Sequence, residues 1–167
     1  MTVEDLLLTP TGLRFGGRVY PCVIGKGGIR RDKQEGDGAT PVGTHRIVGM
    51  YYRPDRLPPP VSWAIPIGPR DLWCDDPAMA AYNHAVTAPF DSSHERMYRA
   101  DPLYDLILVT DWNWPVARAG KGSAIFIHQW RRPGYPTEGC VALKRSDLHS
   151  IAARLTPRSR LIVRERG

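Results

Sequence analysis

Two side chains stand out for covalent chemistry, Cys140 and His128. His128 ends the apolar run Ala124-Ile125-Phe126-Ile127, and Cys140 follows Gly139 to open the run Val141-Ala142-Leu143. Sequential strands usually lie side by side, so the two predicted strands bring imidazole and thiol to one end of a sheet. The thiolate is the reactive form of cysteine, and an adjacent imidazole can generate it. Gly139 permits a tight backbone and close approach of a substrate carbonyl. The N–H groups around Gly139 and Cys140 are candidates for an oxyanion hole. Between the pair lie Trp130, Arg131, Arg132, Tyr135, Thr137 and Glu138. There a guanidinium can grip a carboxylate through two parallel contacts, and the aromatic rings can wall a groove. The same arginines also serve solubility, and the same rings can simply pack the loop.

From spacing alone a second reading stands. A cysteine at a strand start is often a small buried hydrophobe, and a histidine at a strand end is often a satisfied polar residue. The glycine directly before Cys140 and the basic, aromatic loop favour chemistry. Metal chemistry is not expected, because His128, Cys140 and Glu138 lack the spacing of a closed zinc site. No Cys-x-x-Cys pair occurs, and Cys22 and Cys74 read as thiols without a function. Gly25-Lys26-Gly27-Gly28 is a poor phosphate loop, since no Lys-Ser/Thr pair opens a helix after it. No cofactor is expected.

The elements that must position the pair are mostly strands. Residues 13–15 and 18–24 flank Gly16-Gly17, a hairpin signal. Residues 25–40 read as a long loop, and 45–52 as another strand. Residues 53–102 hold nine of the 16 prolines and read as a loop insertion with short helices at 77–82 and 94–99. Long irregular insertions usually serve as lids or substrate walls. Tyr82, Asn83, His84 and His94 within it, and Trp112 and Trp114 after it, read as packing residues. Strands return at 105–110, 124–129 and 140–143. Leu148, Ile151, Ala152 and Leu155 then fall on one helical face, with Ser146 as the predicted cap and Pro157 as the stop. His149 falls on the outer side of that helix, and residues 161–164 close as a strand.

The chain has 167 residues, which fits one domain over residues 1–167 with a sizeable core. Gly and Pro supply 32 of them, enough for many turns and too few for a disordered chain. Apolar runs such as Leu106 to Val109 are far short of the roughly 20 residues of a membrane-spanning helix. The net charge of +6 suits polyanions in general. Its arginines are scattered without a nucleic-acid-binding pattern, so no nucleic-acid partner is expected. The start of the chain has Glu4-Asp5 and only Leu6-Leu7-Leu8 as an apolar stretch, unlike a secretory signal. Taken literally, that places the protein in the cytoplasm.

The segment from His128 to Cys140 resembles the active-site signature of the YkuD family of L,D-transpeptidases, in which a His-Gly opens the motif and Ser/Thr-His-Gly-Cys closes it. A second, ordered match is Ala39-Thr40-Pro41-Val42-Gly43-Thr44-His45-Arg46-Ile47, similar to the family's Thr-Pro-x-Gly-x-Phe-x-Ile strand entry. The resemblance implies a mainly β fold, a sandwich of mixed sheets with one amphipathic helix packed alongside. It also implies Cys140 as nucleophile, His128 as general base and Gly139 as the glycine before the nucleophile. The implied reaction is acyl transfer between peptidoglycan stem peptides, a donor and a diaminopimelate-bearing acceptor, giving 3-3 links, with 1-3 links left open. Hydrolysis of the same stems, or a non-catalytic basic wall-binding module, are the alternatives. Such a substrate places the protein in the periplasm or cell envelope, against the literal reading of its N-terminus. Three residues depart from the pattern: Gln129 stands for the Gly after the first His, Glu138 for the His before Gly-Cys, and Ala142 where many relatives have Arg. They point to a divergent subgroup with an altered pocket.

Overall fold

The computed structural model describes residue 2 and residues 4–165. Its first strand is the tri-leucine segment, β1 (Leu6–Thr9), followed by β2 (Gly12–Phe15). Gly16 and Gly17 take φ of +55° and +79°, so a two-residue turn leads into β3 (Arg18–Tyr20), with Phe15 opposite Arg18. The expected strand at 18–24 is split. Pro21 lacks an N–H and cannot continue the ladder. After it β4 (Cys22–Val23) leaves for the opposite edge of the sheet, against Leu143 and Ala142. Inside the expected loop 25–40 lie two short strands, β5 (Ile29–Arg30) and β6 (Thr40–Pro41), paired parallel.

The longest strand, β7 (Gly43–Tyr52), ties the molecule together. Its first half pairs with the last strand of the chain and its second half with the strand at Leu106–Thr110. After β7 come β8 (Ile65–Pro66), β9 (Asp71–Cys74), β10 (Ala85–Thr87), β11 (His94–Arg96), β12 (Leu106–Thr110), β13 (Phe126–Gln129), β14 (Val141–Leu143), α1 (Arg145–Ala152) and β15 (Arg160–Val163). The main sheet runs β3-β2-β1-β15-β7-β12-β13-β14-β4, with β8 beside β7. It is mixed, because β1/β15, β7/β8 and β13/β14 are parallel. Leu6, Leu8, Leu13 and Phe15 from one half and Ile127, Val141 and Leu143 from the other enclose Leu148, Ile151 and Ala152 of α1. The fold is therefore a mainly β sandwich with one packed helix, as the sequence leads one to expect.

Two local expectations change. The helix begins at Arg145 behind Lys144, not behind Ser146: β14 ends at Leu143, as expected, and the Lys144 carbonyl already accepts a helical bond from Leu148 at 3.0 Å. The insertion contains no helix. Residues 77–82 form turns, and His94–Arg96 is a strand: β10-β9-β11 is a small antiparallel sheet, with His94, Glu95 and Arg96 opposite Cys74, Trp73 and Leu72. Pairing with the apolar strand β9 outweighs the weak local preference of a short polar segment. Trp73 and Met97 of this layer join Tyr104, Ile107, Val109 and Phe126 in a second core on the outer face of the main sheet. This layer walls the site.

Candidate active site

Strand alternation sends Phe126 and His128 to the outer face, while Ile127 joins the helix-side core. Register places His128 beside Ala142. Cys140, two residues earlier on the parallel neighbour, therefore shares His128's face with an offset of about 7 Å along the strand. Sequence reasoning puts the two side by side; the structure puts them on adjacent strands, staggered by one pleat. Both line one cavity of about 830 Å³, together with Trp130, Arg131, Tyr135, Thr137 and Glu138 of the connecting loop. Arg132 is not among the lining residues, and its guanidinium lies 4.7 Å from the Tyr135 ring centre.

His128 is buried, with 8% of its surface exposed. Its Nδ1 lies 2.7 Å from the Gln129 carbonyl. A carbonyl only accepts, so Nδ1 carries the proton and Nε2 is the free basic nitrogen. Tyr104 packs against the imidazole, ring centres 5.3 Å apart and nearly perpendicular. Burial draws the His128 pKa down to about 4. Loss of solvent likewise pushes the Cys140 thiol up to about 12, and the carboxylate of Glu95 adds to that rise. At neutral pH both groups are therefore uncharged at rest. The Cys140 Sγ–H donates to the Ala124 carbonyl at 3.1 Å, and the sulfur accepts the Phe126 N–H at 3.4 Å. The resting thiol thus bonds to the carbonyl of Ala124 at the entry to β13, not to His128.

The turn carrying Cys140 is held from below. Gly139 has φ of +142°, and a Cβ there would lie 2.8 Å from the Ala39 carbonyl oxygen, so only glycine fits this approach. Thr40 Oγ–H donates to the Gly139 carbonyl at 2.8 Å and accepts the Gly25 N–H at 3.0 Å. The upstream Thr40-Pro41 match is thereby packed against the Gly139-Cys140 match across 99 residues of sequence. Thr137 Oγ1 donates to the Cys140 carbonyl at 2.6 Å and accepts the Gly139 N–H at 3.1 Å, which fixes the turn and occupies one expected oxyanion donor. Among the described residues no acceptor takes the Cys140 N–H. Glu138 is exposed and meets Lys26 Nζ at 2.9 Å.

Several lining residues went unrecognised in the sequence. Glu95, Asp75 and Arg99 come from the insertion, Glu35 from the 25–40 segment and Tyr104 from the approach to β12, all far from the motif. Asn83, read as a packing residue, is buried with all its side-chain polar groups engaged. Its Oδ1 accepts Trp73 Nε1–H and the Ala124 N–H at 3.0 and 2.9 Å, and its Nδ2 donates to the carbonyls of Trp112 and Asn113. Asn83 therefore fixes Ala124, whose φ of +53° is unusual for a residue with a side chain. His94 lines the cavity with Nδ1 at 2.7 Å from the Ser92 carbonyl. No group of three or more His, Cys, Asp or Glu side chains among the described residues is arranged to hold a metal ion. No helix among them is long and apolar enough to cross a membrane.

The geometry is that of a neutral cysteine–histidine pair on neighbouring stretches of chain, opening on a cavity of about 830 Å³. No curated protein matches the chain. A family model does, across the sandwich, both halves of the pair and the Thr40 segment. It spans residues 13–163 and describes the L,D-transpeptidase catalytic domain, so the chain belongs to the YkuD family.

Proposed function

We propose that the chain, as one catalytic domain, is a cysteine acyltransferase that joins peptidoglycan stem peptides in the cell envelope. The observation that carries this reading is the shared cavity of Cys140 and His128, with imidazole Nε2 free to act as a base. The donor's carbonyl draws the thiol away from Ala124. Nε2 takes the thiol proton as sulfur attacks, so charge separates only within the complex, where the carbonyl oxygen's developing charge meets the Cys140 N–H. The C–N bond to the leaving D-residue then breaks, and its nitrogen takes the proton from the imidazolium. A thioester on Cys140 and a neutral His128 remain.

Donor carboxylates find guanidinium groups at the rim. Arg131 lines the cavity and makes no ion pair among the described residues, whereas Arg99 is already bound to Asp101 at 2.6 Å. Ala142, fully buried, leaves no room for the arginine that many relatives carry there; Arg131 supplies that charge from the loop. Trp130 and Tyr135 flank the same opening, Thr137 shapes its floor and Glu138 its outer edge. Arg132, stacked on Tyr135, fixes that ring's place. The second substrate is the side-chain amine of diaminopimelate on another stem. Incubating the protein with disaccharide-tetrapeptides and weighing the products tests the reading. Cross-linked dimers are expected, trimmed monomers would make it a hydrolase, and unchanged substrate would overturn both.

A further inference from the structure

One wall of the cavity carries carboxylates that the donor chemistry does not use. Glu95 lies on β11 and lines the cavity that holds Cys140. Its Oε2 accepts the Tyr104 O–H at 2.7 Å, and Tyr104 in turn packs on His128. Its Oε1 makes no hydrogen bond among the described residues and is not a sealed, unpartnered atom, so it opens to the cavity. The charges acting on Glu95 are Asp75, Glu35 and Arg99, two acids and one base. The one base is held by Asp101. Lys33, the nearby lysine of the lining, is held by Asp37 at 2.6 Å. Arg96, the next residue on β11, is exposed and also lines the cavity, so the charge on offer to a ligand is local to the open oxygen of Glu95 and is not an excess along the whole wall.

We propose that Glu95 is the specificity residue for the second substrate, receiving the ammonium group of a cationic amine acceptor beside the acyl-enzyme. The inference rests on the acyl-transfer reading above. An ammonium has three donors in compact array, and a carboxylate with one oxygen fixed and the other open is its natural partner. Tyr104 supplies the fixing bond, so Glu95 is aimed before the acceptor arrives. The acceptor loses one proton to water. As its nitrogen attacks the thioester carbonyl, the C–N bond forms, the C–S bond breaks and a second proton passes to His128 Nε2. His128 returns that proton to the departing thiolate, leaving an amide, the Cys140 thiol and one proton in water. Water and uncharged nucleophiles gain nothing from Glu95, so the residue favours transfer over hydrolysis.

The test uses the full chain acylated by a disaccharide-tetrapeptide and divided between two nucleophiles, diaminopimelate and hydroxylamine, which is uncharged at neutral pH. Wild type, Glu95→Gln and Tyr104→Phe are compared by the ratio of the two products, which cancels any change in acylation or folded fraction. Glu95→Gln keeps an acceptor for Tyr104 O–H and removes the charge. It is expected to lower the diaminopimelate-to-hydroxylamine ratio by about tenfold or more, the scale of one charge-assisted contact. Tyr104→Phe, which keeps the carboxylate, is expected to hold the ratio within about threefold of wild type. A wild-type ratio in Glu95→Gln, or an equal fall in Tyr104→Phe, would overturn the inference while leaving acyl transfer intact. Failure of the wild type to form any adduct on Cys140 would instead overturn the acyl-transfer reading.

Discussion

At the scale of the residue, the resting pair is neutral by design of its surroundings rather than by lack of a partner. Burial holds His128 near 4 and Cys140 near 12, so a thiolate–imidazolium pair is unfavourable until substrate covers the sulfur. Two outcomes follow for the free enzyme. Alkylation of Cys140 by iodoacetamide is slow at neutral pH and its rate keeps climbing above the ordinary thiol range, which a pH series read by peptide mass spectrometry will show. The acid limb of kcat/KM, which reports the free base, falls near pH 4 instead of near the ordinary histidine value. A limb centred at the ordinary value would mean that His128 is solvated in the working enzyme. Gly139 is the third constrained position. Gly139→Ala forces a side chain against the Ala39 carbonyl at a φ that L-residues rarely adopt, and soluble, active protein is not expected.

Between elements, activity depends on contacts that join distant segments. Thr40→Val removes the bond that ties β6 to the Gly139-Cys140 turn and the bond from Gly25, leaving the Gly139 carbonyl without its donor and the Gly25 N–H without its acceptor. A loss of about 2–4 kcal/mol is expected by urea denaturation, with a larger loss of activity than of folded fraction. The motif residues, the sandwich strands and the helical face at Leu148, Ile151 and Ala152 were legible in the sequence because each is a local pattern of apolar spacing or turn chemistry. The insertion was not. His94–Arg96 has no strand period of its own and becomes β11 only because Trp73 and Leu72 offer an edge. For the same reason Glu95 and Tyr104 could not be placed beside Cys140 from their positions in the chain. Asn83 reads as an ordinary loop residue until its bonds to Ala124, Trp73, Trp112 and Asn113 are seen. The Thr40 match was legible, but its packing on Gly139 depends on how β4, β5 and β6 return beneath the turn.

For the whole molecule, the two ends of the chain are fastened together at β1 and β15, where Asp5 binds Arg160 through two oxygens at 3.0 and 2.8 Å. The bonds from Arg160 hold the Asp5 pKa down to about 2. Because the folded value lies below the unfolded one, the stabilisation is complete above the unfolded carboxylate pKa and is lost as pH falls towards 2. Its size is about 2 kcal/mol. Thermal melts of Arg160→Gln should therefore show a lower Tm at neutral pH and a shallower loss of Tm on acidification than wild type. The proposed envelope location and peptidoglycan substrate rest on the family, and the proposed chemistry converges on one sulfur atom. Intact-protein mass spectrometry after brief incubation with a disaccharide-tetrapeptide reads that atom directly. The account predicts an adduct of the donor minus its terminal D-residue, located on Cys140 and missing in Cys140→Ala but present in Cys22→Ser. Cross-linked product from Cys140→Ala would contradict it.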